Sequence, residues 1–77
     1  MNITMYTKSN CPNCVAAKIL LQSKGLEYSE VSLDDDVRKA NFMSAYPEVR
    51  QMPQIFIGDQ RVGGLIGLQE AFKRMGI

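Results

Sequence analysis

Ile3-Thr4-Met5-Tyr6-Thr7-Lys8-Ser9-Asn10-Cys11-Pro12-Asn13-Cys14 is the stretch that decides how this 77-residue chain folds. Ile3 to Tyr6 form a short β-like run, and Thr7 to Asn10 read as a polar loop. Pro12 suits the first position of a helix, where its missing N–H costs nothing, and this puts Cys11 at the N-cap. Behind it, Val15, Ala16, Ile19 and Leu20 recur at helical spacing and are expected to face a core, with Lys18, Gln22 and Lys24 toward water. Gly25 is the expected stop. Tyr28 to Leu33 read as a second strand, with Ser29, Val31 and Leu33 on one face and Glu30 and Ser32 on the other. Strand, crossover helix and strand make a βαβ unit, which closes right-handed and parallel.

Outward from that unit, Asp34-Asp35-Asp36 reads as an acidic N-cap for the next helix, favoured by the helix dipole. Three consecutive aspartates diverge too much to make a metal site. The helix is expected from Val37 to Tyr46, ending before Pro47. Gln54 to Ile57 and Gln60 to Val62 flank Gly58-Asp59, a hairpin signal, and Gly63-Gly64 ends the hairpin. Leu65, Leu68, Phe72 and Met75 trace one face of a last helix, stopped by Gly76. The expected order is β-α-β-α-β-β-α, an α/β fold of one domain over residues 1–77, with a four-stranded mixed sheet flanked by three helices. Tyr28, Phe42, Tyr46, Phe56 and Phe72 are assigned to the core, Met5, Met43 and Met75 to gap-filling, and Glu48 and Arg61 to solvent. Tyr6 is expected half-buried beside the site.

A net charge of +1, with basic residues scattered, gives no electrostatic case for a nucleic-acid or membrane partner. No basic segment precedes an apolar one at the N-terminus, so no signal peptide is expected and the expected compartment is the cytoplasm. There a disulfide is transient and catalytic more often than structural. The chain has two cysteines and no histidine, which excludes a Cys-His protease site and leaves too few ligands for a closed zinc site.

Exchange chemistry needs a thiolate, and a free cysteine is mostly protonated at neutral pH. At the N-cap, the Cys11 sulfur can accept from backbone N–H groups of the first turn, and the helix dipole favours negative charge there. Lys8, three residues upstream, adds positive charge. Cys11 is therefore assigned as nucleophile and Cys14, in the first turn, as the resolving thiol, with Pro12 and Asn13 tuning the redox poise. The bland alternative is a pair of small buried hydrophobes; the paired spacing, the proline and the βαβ context point instead to a thioredoxin-like redox motif.

The chain resembles a glutaredoxin along essentially its whole length. The resemblance rests on Tyr6-Thr7-Lys8 before Cys11-Pro12-Asn13-Cys14, on Arg50-Gln51-Met52-Pro53-Gln54-Ile55-Phe56-Ile57, and on Val62-Gly63-Gly64. Asn13 departs from the Cys-Pro-Tyr-Cys usual in the family. The resemblance implies a thioredoxin-like fold and a thiol-disulfide oxidoreductase that uses glutathione as co-substrate and holds no tightly bound cofactor or metal. It makes Pro53 a cis-proline facing the dithiol, where the residues alone would make it trans, since only about 5–6% of X–Pro bonds are cis. It implies that Lys8 and Arg50 hold the glycine carboxylate of glutathione and that the Met52 backbone, beside Gln51 and Pro53, pairs with the ligand as an edge. It further implies that Gly64 and the Leu65 N–H, at the start of the last helix, receive the γ-glutamyl carboxylate. Arg38 offers a second basic contact.

One departure matters. After Gly-Gly, glutaredoxins commonly carry Cys or Ser and then Asp; here Leu65 and Ile66 stand there, and the side-chain acid is gone. Gln51-Met52-Pro53 is also similar to the Gln-Leu-Pro of glutaredoxin-like donors to ribonucleotide reductase, which take electrons from thioredoxin reductase. The expected partners are thus glutathione and disulfide-containing proteins, ribonucleotide reductase among them, met by a monomer. A reading of another class is an iron–sulfur carrier, against which Pro12 argues, because cluster-binding members more often carry a small residue after the first cysteine. A third is a non-catalytic interaction module.

Overall fold

The computed structural model describes residues 1–77 and gives the element order β1 (Ile3–Thr7), α1 (Pro12–Ser23), β2 (Ser29–Ser32), α2 (Asp36–Ala45), β3 (Gln54–Ile57), β4 (Gln60–Gly63) and α3 (Leu65–Met75). The four strands form one sheet in the order β2-β1-β3-β4. β1 runs parallel to β2, with Tyr6 opposite Val31, and antiparallel to β3, with Met5 opposite Ile55. β3 and β4 form the hairpin, turning through Gly58 at φ 60°.

The period of two along β1 and β3 divides the interior into two cores. Ile3, Met5 and Ile55 point to one side, where Ala17 and Leu21 of α1 and Leu68 and Phe72 of α3 complete a cluster of seven buried residues. Tyr6 and Phe56 point to the other, where they pack around Leu33, Phe42 and Val49 beneath α2. Each fully buried aliphatic or aromatic side chain contributes about 1.5–3 kcal/mol, so the larger cluster carries most of the stability. No helix is long and apolar enough to cross a membrane.

The buried face of α1 differs from the expected one. Cys14, Ala17 and Leu21 are buried, and Leu20 packs at the edge of the core, while Val15 and Ile19 are 55% and 59% exposed. Cys14 must face inward to bond Cys11, and that turns the helix about one residue from the phase read off its apolar positions. Lys18, assigned to water, is half-buried and paired with Glu30 at 2.8 Å. On α3, Leu68, Ala71 and Phe72 are buried, but Met75, the last residue before the Gly76 cap at φ 72°, is 44% exposed. Of the aromatics assigned to the core, Phe42 and Phe72 are buried, whereas Tyr28, Tyr46 and Phe56 are half-buried around it. Glu48 and Arg61 are not simply solvated: they pair at 2.9 Å, with the Arg61 guanidinium 5.3 Å from the centre of the Tyr46 ring.

Gly67 went unnoticed in the sequence. It lies in α3 where a Cβ would overlap the Val62 carbonyl oxygen and come within 2.9 Å of its carbon, so α3 rests directly on the β4 backbone. Gly67→Ala should destabilise the chain by about 1–3 kcal/mol, the usual range for overpacking, even though alanine favours the helix intrinsically. Gly64→Ala, whose Cβ meets its nearest neighbour at an ordinary 3.4 Å, should cost less. Urea unfolding of the two variants checks this; equal midpoints would show that β4 gives way easily.

Candidate active site

The site sits where β1 ends and α1 begins. Thr7 closes the strand, Lys8, Ser9 and Asn10 form an exposed loop, and Asn10 takes the left-handed conformation, φ 55°. Asparagine is among the few non-glycine residues that adopt it readily. The chain then turns into Cys11 in extended geometry, φ −121° and ψ 95°, as the N-cap of α1, with Pro12 in the first turn. The Cys14 N–H donates to the Cys11 sulfur at 3.1 Å, and the two cysteines are joined as a disulfide across 5.2 Å between Cα atoms. A donor aimed at that sulfur, at the positive end of a helix, favours negative charge on it when the bond is reduced. Cys11 is 7% exposed and Cys14 2%, so of the two residues Cys11 is the more open to an incoming group.

Opposite the disulfide, the Met52–Pro53 peptide bond is cis and Pro53 is buried. The Cys11 sulfur lies 3.5 Å from the Met52 carbonyl oxygen. Neither the N–H nor the C=O of Met52 bonds another main-chain group, so both remain available to an extended chain laid beside the dithiol.

Two grooves meet at this point. One runs past Cys11, Pro12 and Asn13 between Lys8 on one bank and Arg50, Gln51 and Met52 on the other. Lys8 and Arg50 are exposed, and Arg50 donates to the Pro47 carbonyl at 3.1 Å, which holds its backbone turn. The second groove lies between the Gln51–Gln54 segment and the start of α3, with Asn13, Gly64, Leu65 and Ile66 along it. It contains no charged side chain. Gly64 caps α3 without a side-chain acceptor, no acid stands in the first turn, and Ile66 is 69% exposed. Of the residues named in the sequence as dithiol or ligand contacts, all but Cys14 and Arg38 border one of the two grooves; Cys14 lines the depression on the other side of Lys8 and Cys11.

Arg38 borders neither groove. Lys39, one residue on, lines a cavity with Lys8 and Arg50; Arg38 serves α2 through its backbone N–H, which donates to the Asp35 cap at 2.9 Å. The sequence did not reveal this because α2 shows only Phe42 fully buried, too little to fix its rotation. Gln54, unassigned in the sequence, borders the uncharged groove and donates to the Gln51 carbonyl at 2.9 Å.

Two carboxylates support the floor of the site. Glu30 accepts from the buried Thr7 hydroxyl at 2.7 Å and from Lys18 at 2.8 Å; the Lys18 bond first, and then the Thr7 bond, hold its carboxyl below the ordinary range. Asp34 accepts from the hydroxyl and the N–H of Ser9, and these bonds likewise lower its carboxyl.

A glutaredoxin family model matches residues 3–62. Glutaredoxin 3 of Escherichia coli strain K12 is 38% identical over 76 residues, which is 99% of this chain and 92% of that protein. Among solved structures, a buckwheat glutaredoxin–glutathione complex superposes with a TM-score of 0.77 at 27% identity, covering 96% of this chain and 69% of that one. The Escherichia coli glutaredoxin-like protein NrdH-redoxin, described as having a thioredoxin-like activity profile, superposes with a TM-score of 0.71 at 29% identity, covering 84% of each chain.

The two carboxylates make an acid prediction. Their folded values lie below their unfolded ones, so the stability they contribute is full above the ordinary carboxylate range and is lost as pH falls through the folded values. The urea midpoint should fall between about pH 5 and about pH 2, and Glu30→Gln should be less stable at neutral pH but flatter in acid. A variant with the parent's acid slope would assign the loss to other carboxylates.

Proposed function

The chain belongs to the glutaredoxin family of thiol-disulfide oxidoreductases, with a thioredoxin-like fold, and from this premise we propose that it reduces protein and small-molecule disulfides with glutathione as reductant. The observation that carries the reading is the Cys11–Cys14 bond at the N-terminus of α1, facing the free backbone edge of Met52.

In the reduced form, the Cys11 thiolate attacks one sulfur of the substrate disulfide and expels the other as a thiolate. Cys14 loses its proton, attacks the Cys11 sulfur and releases the second substrate thiolate, which leaves the Cys11–Cys14 disulfide. One glutathione thiolate then opens that bond at Cys11, regenerating the Cys14 thiol; a second attacks the glutathione sulfur, freeing Cys11 and forming oxidised glutathione. Glutathione would lie along the backbone of Met52 before Pro53, flanked by Gln51, with its glycine carboxylate toward Lys8 and Arg50 and its γ-glutamyl carboxylate toward Gly64 and the Leu65 N–H. Pro12 and Asn13 border the same groove as Cys11. The reading needs no tightly bound cofactor or metal, and it sets the protein in the cytoplasm as a monomer, with disulfide-containing proteins, ribonucleotide reductase among the candidates, as partners.

A second reading has a specific observation behind it. The groove at the start of α3 offers no charged side chain to a γ-glutamyl ammonium, which favours recycling by thioredoxin reductase, and the likeness to NrdH-redoxin supports it.

Parallel NADPH-coupled assays with a small disulfide, one with glutathione and glutathione reductase and one with thioredoxin reductase alone, separate the two. Turnover only in the first is expected; turnover only in the second would retire the glutathione contacts. Cys11→Ser should abolish both. Ile66→Asp should lower the KM for glutathione about two- to fivefold, the scale of an exposed ion pair; an unchanged KM would mean that glutathione does not lie along α3.

A further inference from the structure

Asp34 is the member of the Asp34-Asp35-Asp36 run that serves no helix. Asp35 caps α2, accepting from the Arg38 N–H, and Asp36 stands in its first turn. Asp34 lies where the β1–β2 ladder runs out: the Leu33 N–H still reaches the Thr7 carbonyl at 2.8 Å, but beyond it Lys8, Ser9 and Asn10 make no hydrogen bond to any main-chain group. Both donors of Ser9 go to Asp34 instead, the N–H to Oδ1 at 3.0 Å and the hydroxyl to Oδ2. Asp34 is itself oriented by donating its N–H to the Ser32 hydroxyl at 3.3 Å.

We propose that Asp34 is a positioning residue for the dithiol: by taking both donors of Ser9 it fixes the Lys8–Asn10 loop, and so sets where Lys8 and the Cys11 sulfur stand against the N-terminus of α1. The loop is three residues long, carries the left-handed Asn10, and delivers the chain directly into the Cys11 N-cap. The Lys8 side chain borders the same depressions as Cys11 on both sides of the loop. A loop that drifts moves a cation away from the nascent thiolate and loosens the bond from the Cys14 N–H, and both changes favour the protonated thiol. The other charged groups facing Asp34 are Asp36 and Lys39 of α2, Arg50 and Lys8 itself, all on the cavity it shares. The proposal depends on dithiol exchange and not on which reductant closes the cycle.

The test uses the full chain with Cys14→Ser as background, so that Cys11 is the one thiol, and follows its alkylation by iodoacetamide against pH, with thermal melts as a folding control. Asp34→Ala should raise the alkylation midpoint enough to cut the thiolate at neutral pH about three- to tenfold, up to one pH unit. Asp34→Asn should stay within about twofold of the parent, because its amide oxygen accepts from the Ser9 N–H and its NH2 donates to the Ser9 hydroxyl. Ser9→Ala, which keeps only the N–H bond, should fall between them. With both cysteines present, turnover of bis(2-hydroxyethyl) disulfide should follow the same order. A folded Asp34→Ala protein with the parent's midpoint overturns the proposal. So does an Asp34→Asn variant as impaired as the alanine, since charge and not bonding would then be at work. Should Asp34→Ala fail to fold, a Ser9→Ala variant with an unshifted midpoint overturns it equally.

Discussion

Cys11 caps α1 and Cys14 lies in its first turn, and that pairing constrains the rest of the site. The Cys14 N–H reaches the Cys11 sulfur at 3.1 Å while the Cys14 side chain points into the core, so the rotation of α1 about its axis is set at its first turn. Ala17 and Leu21 follow on the same face and enter the larger cluster with Leu68 and Phe72 of α3. The redox pair and the main hydrophobic core are thus held by one helix in one orientation. Val15 and Ile19 face solvent for the same reason.

β1 does the complementary work. Its alternation sends Ile3 and Met5 toward α1 and α3 and Tyr6 toward α2, and the strand ends at the loop that carries Lys8. The parallel partner β2 ends beside it, and each strand end is tied across the gap by a carboxylate: Glu30 to Thr7 and Asp34 to Ser9. Crevices at the carboxyl ends of parallel strands are where open α/β sheets place their chemistry. Here the crevice is narrowed from the opposite side by the segment around cis Pro53, whose Met52 carbonyl stands 3.5 Å from the Cys11 sulfur.

The two banks of the site differ in charge. Lys8, Lys39 and Arg50 gather on the α2 side, interleaved with Asp34 and Asp36, whereas the bank toward α3 presents the amides of Asn13, Gln51 and Gln54 and the exposed Ile66. An anionic group is attracted to the first by cations and to the second only by the uncapped N–H groups of α3. Salt weakens exposed attractions of the first kind, so the balance between the banks shifts with ionic strength.

The Cys-Pro-x-Cys run at a strand–helix junction, the order of elements and the Gly58-Asp59 turn were all legible in the sequence, because each is a local pattern: two residue periods, one proline at the head of a helix, one glycine in a turn. The redox-capable pair Cys11 and Cys14, joined in the structure, was legible for the same reason. Long-range packing decided the rest. Which side of α1 is buried depends on where the Cys14 side chain must go. Lys39 and not Arg38 borders the cavity, a matter of how α2 is turned on the sheet, where Phe42 is its one buried residue. Gly67 matters only because β4 passes beneath it, and Asp34 matters only because β1 and β2 end side by side and bring it to Ser9, 25 residues away in the chain. A residue's neighbours along the chain are fixed by covalent spacing, and its neighbours in space by how strands register and helices turn, so the redox-capable pair could be read from the sequence while the contacts around it could not.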